Sequence, residues 1–152
     1  MAILETAIMY RNIPLVERQY YSTEHVLDKN IRNGLLQAIH ALSQQAFGES
    51  LQSFSLGTYS ILLISSDFEI RDSENSASNK ESILIYGIVD SQSNEKSVNK
   101  SMQEAIFQFL NRYSWNDIHE LKLKKFSKFG KRMDKIFGDL ILKSEDRFKS
   151  LF

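Results

Sequence analysis

The chain has 152 residues, with nineteen Lys or Arg against nineteen Asp or Glu, and so a net charge of zero. That length is one ordinary domain, able to bury a continuous core without staples. The even charge balance argues against a dedicated nucleic-acid binder, which normally shows a basic excess. The complete lack of cysteine excludes disulfides, thiolate–zinc sites and cysteine catalysis.

The start, Met1-Ala2-Ile3-Leu4-Glu5, has no basic region and no long apolar run, so it does not read as a signal peptide. No stretch approaches the roughly 18 apolar residues of a spanning helix. A cytoplasmic location is the expectation, and the Asn99-Lys100-Ser101 sequon is then a chance match.

Ile3 to Tyr10 is a β-like apolar run, Arg11-Asn12 a turn, and Ile13 to Tyr21 a second strand. Pro14 has no N–H to donate, which suits the start or edge of a strand. Asp28 can cap a helix whose apolar face is Ile31, Leu35, Ala38, Ile39, Leu42 and Ala46, with Gly48 just past its end. Ser50 to Leu56 alternates weakly as a strand. Tyr59 to Ile64 reads as a buried central strand that Ser65 to Ile70 can extend. Residues 71–82 offer no large apolar side chain and read as a solvated loop. Ile83 to Val89 is apolar almost throughout, the mark of a second central strand.

After a polar hand-over, Val98, Met102, Ala105, Ile106, Phe109, Leu110 and Tyr113 share one helical face. Trp115-Asn116-Asp117 reads as an interruption, and Leu121-Lys122-Leu123 as a short extended piece. A last helix is expected from about Ser127 to Leu140, with Phe126, Phe129, Met133, Ile136, Phe137 and Leu140 as its stripe. Residues 141–152 form a tail. The order ββαβββαα implies an α+β fold in a single domain over 1–152. A five-stranded antiparallel sheet would carry one helix on one face and two on the other.

The six glycines have neither P-loop nor dinucleotide spacing. His25, His40 and His119 are scattered, with no metal-ligand spacing. No Gly-x-Ser-x-Gly elbow is present. The nearest carboxylate pairs, Asp67 with Glu69 and Glu145 with Asp146, read as isolated surface acids. The expectation is a protein that is not an enzyme and carries no cofactor or metal.

Charge is unevenly placed. From Ile118 to Phe152 there are ten Lys or Arg and five acids, a net of +5, so the remainder carries −5. At about 100° per residue, Lys124, Lys128, Lys131 and Lys135 fall within about 60° of one another on the last helix, with Arg132 beside them. These five form a candidate face for an anionic lipid surface or an acidic partner. The alternative is the ordinary solvated side of an amphipathic helix. Phe107 stands off the main apolar stripe of its helix and is a candidate contact residue; a second buried face would account for it equally well.

The run Ile83-Leu84-Ile85-Tyr86-Gly87-Ile88-Val89, followed by a hinge and Ala105-Ile106-Phe107-Gln108-Phe109-Leu110-Asn111-Arg112-Tyr113, resembles the longin domain, a profilin-like module of vesicle-trafficking proteins. Phe109-Leu110 and Tyr113 fall at the places of its Phe-Leu-x-x-Tyr/Phe-like segment. Phe126 to Leu140 is similar to the last helix of small adaptor-complex subunits. The resemblance spans nearly the whole chain. It implies a non-enzymatic interaction module, a subunit of a trafficking or small-GTPase-regulatory assembly. Its partner would be a Ras-like GTPase or a larger trafficking subunit, in a homo- or heterodimer, and not a nucleic acid. Without a heptad segment or anchor after the domain, a stand-alone adaptor is expected rather than a SNARE. Binding would use an exposed sheet edge or the first helix. The alternative implied by the charge is a peripheral membrane or anionic-ligand module. The polar loop 71–82 is longer than a tight hairpin, which leaves the pairing of its flanking strands open.

Overall fold

The structure is a computed structural model that describes residues 3–11, 13–20, 34, 52–56, 59–70, 79–90 and 94–141. It is an α+β fold built on five strands: β1 (Ile3–Tyr10), β2 (Ile13–Gln19), β3 (Gln52–Leu56), β4 (Tyr59–Ile70) and β5 (Asn79–Asp90). They form one antiparallel sheet in the order β2-β1-β5-β4-β3. The first and last strands by sequence, β1 and β5, therefore meet at the centre. That is why β1 is buried along its whole length on both faces. Pro14 sits on β2, at an edge, where its missing N–H costs no ladder bond between two neighbours.

Two register shifts shape the central strands. Between β1 and β2, Ile8 faces Val16 but Met9 faces Pro14, so Leu15 is the extra residue of a bulge. In a regular strand Leu15 and Val16 would point to opposite faces; the bulge lets both enter one core. A second shift lies between Ile3 and Glu5, against Val89 and Ile88. There Leu4 packs with Ala7 and Met9, while Glu5 accepts a hydrogen bond from the Tyr86 hydroxyl (3.1 Å) in the same cluster. Thr6, fully buried, donates to the Tyr86 carbonyl at 2.8 Å and ties β1 to β5.

The β4–β5 hairpin differs from expectation. Its register runs without a break from Tyr59↔Asp90 to Ile70↔Asn79, so residues 79–82 belong to β5 and not to a loop. The residues there, Asn79-Lys80-Glu81-Ser82, are all polar, so no apolar alternation marks them as strand in the sequence. Residues 71–78 lie outside the described residues. So do the expected helix from Asp28 to Ala46, apart from Gly34, which is helical and exposed, and the tail after Ile141.

Past β5, Asn94 caps α1 (Glu95–Arg112), its side chain accepting from the N–H groups of Lys96 and Ser97. Val98, Met102, Ala105, Ile106 and Phe109 are buried, the face its periodicity indicates. Trp115-Asn116-Asp117, expected as an interruption, opens a one-turn helix, α2 (Trp115–His119), because Ser114 caps it through the Asp117 N–H (3.2 Å). Leu121, expected to be extended, has φ 55° and reverses the chain instead. The last helix, expected from about Ser127 to Leu140, runs from Phe129 and is preceded by a separate one-turn helix across a break at Ser127-Lys128. In chain order these are α3 (Leu123–Phe126), the turn, α4 (Phe129–Phe137) and a 3-10 turn (Gly138–Ile141). The Ser127 hydroxyl donates back to the Lys124 carbonyl at 2.8 Å, giving that carbonyl a partner outside the helical ladder. Gly138 closes α4 at φ 40°, a conformation in which a side chain is strained.

The core has two clusters, one on each sheet face. The helices share the first with Ile3, Ile8, Leu62, Ile64, Ile85 and Val89. Its centre is aromatic: the Phe109 ring lies 5.3 Å from those of Phe126 and Phe129 and 4.9 Å from Tyr113. Gly87 lets α1 approach, since a Cβ there would sit 3.4 Å from the Met102 sulfur and from Ile3. The second cluster, Leu4, Ala7, Met9, Ile61, Leu63, Leu84, Tyr86 and Ile88, is buried on the opposite face. Among the described residues no helix contributes to it.

Candidate functional site

The basic residues singled out by charge are all exposed: Lys124, Lys128, Lys131, Arg132 and Lys135. The break at Ser127-Lys128 changes their grouping. Lys124 lies on α3, and Lys128 is in the turn before α4, so the angular reading across one continuous helix does not hold for Lys124. On α4 itself Lys131 and Lys135 are one turn apart, pointing away from the buried Phe129, Met133 and Phe137. Among the described residues none of the four lysines has an acidic partner within ion-pair distance. Lys122 and Lys125, by contrast, are occupied by Asp117 at 3.4 and 3.3 Å, and Lys122 also by Glu120.

The orientation of this basic face is set from the other flank of α4. Asp134 accepts from Arg18 Nη2 at 2.6 Å, from Arg18 Nε at 3.0 Å and from the Tyr20 hydroxyl at 2.7 Å. A forked guanidinium–carboxylate pair fixes direction as well as distance. It fastens α4 to β2, an edge strand. Burial alone would raise the Asp134 carboxyl, but the bonds from Arg18 and Tyr20 outweigh it and hold the group below its ordinary range. Burial first, and then Asp134, push the Tyr20 hydroxyl well above the usual tyrosine range, so it remains a donor. Gly130 makes room for this arrangement. A Cβ at that position would come within 3.0 Å of Arg18 Cδ.

On its other flank α4 meets α1. Arg132 Nε donates to Gln108 Oε1 at 2.7 Å, and Gln108 Nε2 donates to Glu104 at 2.7 Å. Between the helices lies an open cleft of about 280 Å³, lined by Gln108, Asn111, Arg112, Phe129 and Arg132. Arg112 is in the last turn of α1, with its guanidinium 5.9 Å from the Tyr113 ring centre. Of these residues the charge reading had only Arg132. Arg112, Gln108 and Asn111 carry no sequence signal of their own, because nothing in the periodicity of α1 says which flank α4 occupies. Phe107, as its place off the stripe suggests, projects from α1 and is 62% exposed.

Among the described residues no group of three or more His, Asp or Glu could hold a metal ion. His119 lies against Trp115 with ring centres 5.1 Å apart; His25, His40, Glu145 and Asp146 are outside the described residues. No described helix is long and apolar enough to cross a membrane. In comparisons with known proteins, neither a protein-family model nor a curated protein matches the chain.

Proposed function

We propose that the chain is a non-enzymatic protein-interaction module of the longin type, a subunit of a vesicle-trafficking or small-GTPase-regulatory assembly. The observation that carries this reading is the architecture. A five-stranded antiparallel sheet is followed by helices that pack together on one of its faces, an arrangement compatible with that fold. In this reading the partner pairs along an open edge of the sheet. An edge strand offers unpaired N–H and C=O groups to a partner strand, and among the described residues β2 and β3 are the two edges. Of these β3 is the candidate, because β2 carries Pro14 and a bulge, devices that discourage strand addition. The test is an affinity capture of the tagged protein from its source cells, run with GDP and with a non-hydrolysable GTP analogue. A Ras-like GTPase recovered in one nucleotide state supports a regulator or effector. A large nucleotide-independent partner, lost on Ser53→Pro in β3, supports a coat or tether subunit. Recovery of neither overturns the reading.

A second reading is favoured by one observation: Lys124, Lys128, Lys131 and Lys135 are exposed without acidic partners among the described residues. This is a peripheral face for an anionic membrane or an acidic partner. Its binding would fall steeply with salt, since exposed charges are screened over about 8–10 Å at physiological ionic strength. Charge reversal at Lys128, Lys131 and Lys135 that leaves liposome binding at low salt unchanged would remove the membrane part.

A further inference from the structure

Two guanidiniums border one cleft. Arg112 comes from the end of α1 and Arg132 from the first turns of α4, and both line the same open space. Among the described residues neither has an acidic partner, although the chain pairs Arg11 with Glu81 and Arg18 with Asp134. Arg132 is moreover held through its Nε by Gln108, which is itself held by Glu104. With Nε engaged, the two Nη groups of Arg132 remain as donors, a fork whose root is fixed. Asn111 adds an amide, and Phe129, whose ring is packed into the core, closes the inner side of the cleft. Two acids of the same helices are engaged elsewhere, Glu104 by Gln108 and Asp134 by Arg18 and Tyr20.

We infer that the α1–α4 cleft binds a phosphomonoester, with Arg112 and Arg132 as the two ligating groups and Gln108 as the residue that positions Arg132. Planar forked donors match phosphate oxygens in pairs, which a lysine cannot do. A volume of about 280 Å³ is small for a drug-sized ligand but ample for a phosphate group and the atoms that carry it. This site differs from the flat lysine face of the second reading, with which it shares only Arg132. It also stands apart from the sheet edges proposed for a protein partner. Each can therefore fail without the other.

The test uses the full chain and three probes: inorganic phosphate by calorimetric titration, and vesicles of phosphatidylcholine containing either phosphatidic acid or phosphatidylserine. Phosphatidic acid presents a phosphomonoester, whereas phosphatidylserine presents negative charge without one. The expected result is that Arg112→Gln and Arg132→Gln each weaken phosphate binding by about tenfold, as removal of a charge-assisted bond does. Arg132→Lys should weaken it similarly, because the fork is lost. Lys131→Gln with Lys135→Gln should leave it within about twofold, since screened point charges contribute little. Gln108→Leu should weaken binding less than Arg132→Gln and leave the melting temperature unchanged, as befits a positioning residue. Binding of phosphate and of phosphatidic acid vesicles, both lost in the arginine variants, places the ligand on a lipid headgroup. Phosphate binding without vesicle binding places it on a soluble phosphomonoester. Three results overturn the inference: no binding of phosphate or phosphatidic acid, equal retention on phosphatidylserine, or lysine variants that lose as much as the arginine variants. Equally tight binding of a polyglutamate peptide would also overturn it and return the face to an acidic protein.

Discussion

Asp134→Asn is the sharpest perturbation of the fold, because one carboxylate collects three bonds from residues more than a hundred positions away. The asparagine keeps the size and helix preference of the position but loses the charge, and its amide N–H₂ opposes a guanidinium N–H. An ion pair between groups 42% and 32% exposed is screened, which limits the Arg18 contribution to about 0.5–1 kcal/mol. The disturbed Tyr20 bond, to a half-buried hydroxyl, adds about another 1 kcal/mol. The expected loss is therefore about 1–2 kcal/mol, or about 2–8 °C in Tm for a chain of this size. The effect is linked to pH. Asp134 has a lower pKa folded than unfolded. The network's stabilisation is therefore complete above the unfolded value, near 3.8, and disappears as pH falls through the folded one. Urea unfolding of the native chain and the variant should give a constant difference from about pH 7 to about pH 5 that shrinks below about pH 4. Arg18→Met should cost a similar amount, and the double variant little more than either alone. A difference that persists undiminished into acid, or fully additive single changes, would refute the assignment of these bonds.

Other outcomes follow from the packing. Phe109→Ala removes the ring at the centre of the aromatic cluster and should cost about 3–5 kcal/mol, read as a Tm fall of about 10 °C or more. Phe107→Ser, on an exposed ring, should change stability by less than about 0.5 kcal/mol in the same thermal melt. Gly130→Ala sets a helix-propensity gain of about 1 kcal/mol against the Arg18 contact at 3.0 Å. It should therefore be near neutral in the native chain and stabilising in an Arg18→Ala background, which has no δ atom, as chemical denaturation of the four proteins would reveal. Gly138→Ala, at φ 40°, should lower stability by about 1–2 kcal/mol in urea unfolding.

Much of the secondary structure was legible because burial leaves a period. The apolar runs of β1, β4 and β5 and the threefold-and-fourfold spacing of α1 point to the faces that are in fact buried. Pro14 correctly signals an edge, since a missing donor is tolerated only where no second neighbour needs it. Where no apolar face exists, the period is silent. Residues 79–82 therefore read as loop although they pair with β4, and Leu121 read as extended although its backbone turns back. The split between α3 and α4 was also hidden. The apolar spacing of Phe126, Phe129 and Met133 continues across Ser127, and it is a hydroxyl bonding back to a carbonyl that accompanies the break. With that break, Lys124 left the group to which helical geometry had assigned it.

Sequence by itself determined the local terms of this protein: which stretches alternate, which face of each element is apolar, and that the C-terminal third is basic. Only the tertiary structure decided the sheet order, the bulge that buries Leu15 beside Val16, and the meeting of Arg18 with Asp134 across 116 positions. It also decided that Arg112 and Arg132 border one cleft. The physical reason is one of range. Alternation and helical period record how each segment divides its own side chains between core and solvent. The pairing of two charges, or the sharing of a cleft, depends on which flanks the packed elements turn toward each other.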